Sequence, residues 1–130
     1  LTDDALAWKT EEREVSSDVS TPAFYRGKFF VINSDKRTLA RVDPATGKSD
    51  WIGQLDSRAK IEGSPTVADG KIYFQSHAGE AFVVSAGDEF KLLHRVAMGD
   101  ASDRDTRATI AVSSGNLFIR TAGKLYCVGK

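Results

Sequence analysis

Residues 63–85 read GSPTVADGKIYFQSHAGEAFVVS. Short apolar runs alternate there with two tight turns, Asp69-Gly70 and Ala78-Gly79, a pattern that reads as three antiparallel strands. A longer turn at Gly87-Asp88-Glu89 leads to a fourth strand. Variants of the pattern stand on both sides. In residues 20–55 the strands are predicted at 21–25, 28–33, 38–42 and 50–55. Arg26-Gly27 is the first turn there, residues 34–37 form a polar loop, and Asp43-Pro44-Ala45-Thr46-Gly47 is the last turn. Proline presets φ at the first turn position, Asp43 can accept bonds from the following backbone, and Gly47 supplies the positive φ. A third unit begins at residue 107, turns at Ser114-Gly115 and Ala122-Gly123, and ends at residue 130 after three strands. Gly27, Gly70 and Gly115 lie 43 and 45 apart, and Val42, Val84 and Val128 lie 42 and 44 apart. Trp8, Trp51 and Leu93 lie 43 and 42 apart and are taken as counterparts. A period near 43 with four strands per unit is what a propeller blade requires.

The second strands separate a propeller from a sandwich. Phe29-Phe30-Val31, Ile72-Tyr73-Phe74 and Leu117-Phe118-Ile119 are apolar at three consecutive positions, so both faces of each sheet are expected to be buried. A two-layer sandwich would alternate apolar with polar residues instead. At the next position Ile32, Gln75 and Arg120 differ completely, and the sequence places them outside the repeated core, on a solvated channel or end face, with a ligand-facing position as the alternative. The expected architecture is therefore all-β, a β-propeller of four-stranded antiparallel blades with about eleven or twelve strands. The chain is one propeller segment: residues 1–15 carry the final strand of a preceding blade (6–9), residues 20–55 and 63–98 form blades, and residues 107–130 form an incomplete one.

Composition narrows the function classes. Eighteen basic and eighteen acidic residues give zero formal net charge, spread without blocks, which offers nothing to nucleic acid or an anionic membrane. The hydrophobic fraction is 41%, with no apolar run long enough for a membrane span. The chain starts at Leu1 rather than methionine, so it is expected to be processed or cut from something longer. One cysteine, Cys127, cannot form an internal disulfide.

The runs SPTVADGKIYFQS and RVDPATGKSDW and the ending NLFIRTAGKLYCVGK resemble the PQQ-like repeat of quinoprotein propellers and of outer-membrane-assembly lipoproteins of the BamB type. The resemblance covers residues 6–130, and the spacing Asp43, Thr46-Gly47, Trp51 is its most specific part. It implies that Trp51 and Trp8 dock between adjacent blades against the next repeat's backbone. The second unit departs from the pattern at Ser85, Phe90 and Leu93, which implies weaker docking there. The resemblance also implies a periplasmic or secreted location.

No catalytic, cofactor-binding or metal-ligating residue is assigned from the sequence. Quinoproteins resembling this fold hold PQQ with an adjacent cysteine pair and a stacking tryptophan, whereas Cys127 stands alone and both tryptophans have docking roles. Asp100, Asp103 and Asp105 suggest calcium by their carboxylates, but their spacing fits no loop motif and Arg104 and Arg107 interleave with them, so a solvated inter-blade loop is expected. His77 and His94 have no third ligand at metal spacing. Gly47-Lys48-Ser49 echoes a phosphate loop but lacks its first glycine and its helix. Ser113 and Ser114 lack a base, and Cys127 reads as a small buried hydrophobe in a strand. The functional expectation is a non-enzymatic module that presents an end face or strand edge to a protein or glycan. The alternative is part of a quinoprotein-like oxidoreductase whose ligands lie elsewhere. Remaining blades, or a second copy joined head to tail through residues 6–9, are the expected structural partners.

Overall fold

The computed structural model describes residues 2–129 and is all-β, in eleven strands and two single-turn 3-10 helices. The first sheet comprises β1 (Ala23–Tyr25), β2 (Lys28–Asn33), β3 (Thr38–Val42) and β4 (Ser49–Gln54). The second holds β5 (Thr66–Ala68), β6 (Lys71–Gln75), β7 (Glu80–Ser85) and β8 (Leu92–Ala97). The third holds β9 (Ala111–Ser113), β10 (Asn116–Arg120) and β11 (Leu125–Val128). Each is an antiparallel meander in chain order. The turns are those the sequence predicts. Arg26-Gly27, Asp69-Gly70 and Ser114-Gly115 all carry positive φ at both positions, the two-residue hairpin geometry whose twist matches that of the flanking strands. In the Asp43 turn the carboxylate accepts from the Ala45 amide at 2.8 Å, the Asp43 carbonyl accepts from Gly47 at 2.8 Å, and Gly47 sits at φ +72°.

The sheets stack face to face, and alternation along each strand assigns each side chain to one neighbour or the other. Phe30, Ile32 and Leu39 of the first sheet meet Ile72, Phe74, Phe82 and Val84 of the second in the main core. The opposite face of the second sheet, with Tyr73 and Ala81, meets Ile110, Leu117 and Ile119 of the third. Both faces of the middle sheet are thus occupied, as three consecutive apolar residues require.

Two expectations fail here. Ile32 and Gln75 are buried, not on a solvated channel: Ile32 is part of the main core, and Gln75 is fully buried and donates from Nε2 to the carbonyls of Ala108 (2.8 Å) and Arg120 (2.9 Å). Only Arg120 is exposed. In the first two units the position faces the following sheet, and an amide does there by hydrogen bonding what isoleucine does by packing. Residues 6–9 form no strand: the 3-10 turns Asp3–Ala5 and Arg13–Val15 flank a stretch without sheet pairing. A strand needs a ladder partner, and among the described residues none borders this segment. It is held instead by Trp8, whose indole covers Gly47 and donates to the Pro44 carbonyl at 2.7 Å, and by Val15, which packs on Val31, Ala40 and Val42.

Candidate interaction surface

The meander sorts the loops by end. The β1–β2 and β3–β4 turns and their counterparts occupy one end of the stack, the turn end. The β2–β3 loops and the connections between sheets occupy the other, the connection end. Docking belongs to the turn end. Trp51 donates from its indole nitrogen to the Gly87 carbonyl at 3.0 Å, 36 residues on, as Trp8 does to Pro44, also 36 on. Trp51 also packs between Phe30 and Phe90 at centroid distances of 6.2 and 5.5 Å.

The docking register of the second unit differs from the predicted one. β4 faces β3 with Trp51 opposite Arg41 and Asp50 bulged out; β8 faces β7 with His94 opposite Val83 and Leu93 bulged out. His94, not Leu93, therefore stands where the tryptophan stands, and it is exposed. The spacing of 43 that separates Trp8 from Trp51 leads from Trp51 to His94, one residue beyond Leu93. Phe90, a departure from the repeated pattern, fills the space over Gly53, where any Cβ would overlap its ring.

Ion pairs stand at both ends: at the turn end Lys28 lies 2.9 Å from Asp50, and Arg41 lies 3.2 Å from Asp50 and 3.0 Å from Asp88, and the connection end has a set of its own. Lys60 and Asp35 pair at 2.8 Å. The hydrogen bond between them holds the Lys60 ammonium above and the Asp35 carboxyl below their ordinary values. Glu62, largely shielded, lies 3.1 Å from Arg107 Nε and 2.9 Å from His77 Nε2, while Arg107 Nε donates to Asp105 at 2.9 Å. Glu80 takes bonds from Arg95 and from Ser57 at 2.9 Å. Burial pushes the Glu80 carboxyl up, but the bonds from Arg95, Ser57 and Ser76 outweigh it, and it lies below its ordinary value.

Asp103 is the acidic residue that the sequence left in a solvated loop, yet it is buried. Its carboxylate accepts from the amides of Asp100 (2.7 Å) and Ala122 (2.6 Å) and from the Thr106 hydroxyl (3.4 Å), which fastens the connection between the second and third sheets to the third sheet's own loop. Asp100 turns the other way and caps Ser102, and Asp105 pairs with Arg107, so the three carboxylates do not converge. His77 and His94 are likewise apart, one at the connection end and one on β8. Ser113 lies at the end of exposed β9 and Ser114 in the turn that follows it. Cys127 is exposed on β11, contrary to the expectation of a buried hydrophobe, because the face it shares with Phe118 has no sheet against it among the described residues.

Much of the polar machinery is thus spent between sheets. Gln75 stitches the second sheet to the third. The Thr66 hydroxyl donates to the Ile110 carbonyl and the Ser20 hydroxyl to the Glu62 carbonyl at 3.2 Å. Among the described residues two grooves remain open at the connection end: one of about 440 Å3 in which Arg58, Arg95 and Arg104 stand with Asp56, Glu80 and Asp103, and one of about 340 Å3 between Asp105, Arg107 and Arg120. Arg58 and Arg104 are exposed.

Comparison with known proteins places this arrangement. A family model described as outer membrane protein assembly factor BamB matches residues 1–128. No curated protein matches the chain. Among solved structures, the crystal structure of BamB from Moraxella catarrhalis superimposes with a TM-score of 0.66 at 16% identity, over 83% of this chain and 32% of that one. The chain thus spans about a third of that relative's length, and the likeness is one of fold.

Proposed function

Since the chain belongs to the family of outer membrane protein assembly factor BamB, we propose that it is a non-enzymatic segment of a β-propeller that binds protein partners through its connection end, outside the cytoplasm. The observation that carries this reading is the open groove of mixed charge, Arg58, Arg95 and Arg104 with Asp56, Glu80 and Asp103, at the connection end. Loops held by a rigid stack are where a scaffold places its contacts. Paired charges around an exposed groove favour steering and register of a polypeptide over tight small-molecule enclosure. A glycan is supported less, because no aromatic face lines the groove.

The outer faces of the segment have a structural claim of their own. Phe24 and Phe29 on the first sheet and Leu125 on the third are apolar and wholly or partly exposed, which supports cover by the remaining blades of a ring or by a second copy.

A photocrosslinker at Arg104, compared with one at Lys91 on the turn end, tests the reading. One defined protein captured at Arg104, not at Lys91, and lost with Arg58→Glu is expected. Equal capture at both ends would overturn it. A calcium-dependent absorbance change on titration with pyrroloquinoline quinone would favour the oxidoreductase instead.

A further inference from the structure

We propose that the cleft between the second and third sheets, at the turn end, receives a tyrosine side chain presented by a partner polypeptide. The ground is a difference between the two junctions within this one chain. At the first junction Tyr25, the last residue of β1, reaches across to the second sheet, and its phenolic oxygen accepts a hydrogen bond from the Gly70 amide at 3.0 Å. Its ring packs against the main core. Trp51 and Phe90 close the outer side. At the second junction the same position, 43 residues on, is Ala68, paired with Lys71 as Tyr25 is paired with Lys28. A methyl group cannot span the gap. His94, standing where Trp51 stands, is exposed and does not close the outer side either.

The receiving half of the junction is nevertheless kept. Ser114 and Gly115 have φ of +50° and +77°, against +49° and +70° at Asp69 and Gly70, so the third sheet offers the Gly115 amide in the same turn that offers Gly70. Between them lies a cleft of about 670 Å3, walled by Ala68, Tyr73, Val112, Leu117 and Val128, with Asp69, Ser114, Gly115 and Asn116 along its rim. That volume is in the range of ligand pockets, about 300–1,000 Å3. Apolar walls with a polar rim, the Gly115 amide among its groups, fit an aromatic ring with a hydroxyl at its tip. An aliphatic side chain would leave the donor unmatched, and a charged one would lose its hydration against the walls. In the first junction the matching donor, the Gly70 amide, is met by the chain's own Tyr25, and that is the reason for naming tyrosine here. The cleft lies at the opposite end from the connection-end groove, so each site can fail without the other.

The test is titration of the full chain with N-acetyl-tyrosinamide, followed by nuclear magnetic resonance. Saturable shifts are expected at the Gly115 amide and at the Val112 and Leu117 methyls. The phenylalanine analogue should bind about fivefold more weakly, the equivalent of the one hydrogen bond it lacks, about 1 kcal/mol. Ala68→Tyr should fill the cleft from within, weaken binding at least about tenfold and move the Gly115 amide signal without ligand. Val112→Trp serves as the blocking variant if Ala68→Tyr does not fold. No saturable shift at Gly115, equal binding of the two analogues, or undiminished binding in a folded blocking variant would overturn the proposal.

Discussion

Two glycines show how differently a single residue can be constrained. Gly70 has open space around its Cα but sits at φ +70°, whereas Gly53 has an ordinary strand backbone and the Phe90 ring against it. Gly70→Ala should cost about 1–2 kcal/mol through backbone strain alone, and Gly53→Ala about 1–3 kcal/mol through overlap. Adding Phe90→Ala should recover part of the second loss and none of the first. Denaturant melts of the four variants check this, and equal recovery would refute it. The Asp-Gly dipeptide announced its turn because the conformational demand is local. Nothing local marks Gly53, whose demand comes from a residue 37 positions away. The tryptophans divide the same way. Trp51→Ala should cost about 3 kcal/mol, the low end for a large aromatic because the ring is only half-buried. His94→Ala should stay within about 0.5 kcal/mol, as at other exposed positions. Similar losses for the two in thermal melts would mean that His94 docks as well.

The strands were legible in proportion to how regularly they alternate. β2 and β6 declared buried faces on both sides, and β4 and β8 declared their closing turns, but residues 6–9 did not declare that their ladder partner would be missing. A strand is a property of two segments, and sequence shows one at a time. Gln75 was misplaced for the related reason that its two acceptors, Ala108 and Arg120, belong to the next unit. Charged ties between strands were not visible at all. Glu80 at the start of β7 joins Arg95 on β8 to Ser57 in the preceding connection. Because its carboxyl lies below its ordinary 4.5 in the folded chain, it should stabilise fully above that value and lose the contribution as pH falls through its folded value. The melting-temperature gap between the parent and Glu80→Gln should therefore be widest near pH 7 and shrink below about pH 4. A gap independent of pH would show that the ion pair contributes nothing.

At the scale of the whole molecule the outer faces set the behaviour. If residues 6–10 served as the fourth strand of a third-type sheet, the bulged registers of β4 and β8 would put Trp8 opposite Cys127 and Lys9 opposite Tyr126. Head-to-tail pairing of two copies therefore predicts an intermolecular disulfide in the variant Lys9→Cys, Tyr126→Cys, Cys127→Ser, along with a dimer by light scattering that deletion of residues 1–10 dissolves. A folded monomer with both thiols free would exclude it. The matching indole bonds, each linking a segment to the sheet that follows it, carry a further consequence. Coupling of this kind runs only between nearest neighbours, so the chain resembles a short one-dimensional array in which interior members are held from two sides and terminal ones from one. Opening should start at the ends: amide hydrogens of β10 and β2 should exchange with solvent faster than those of β6, whose sheet cannot open without breaking two interfaces.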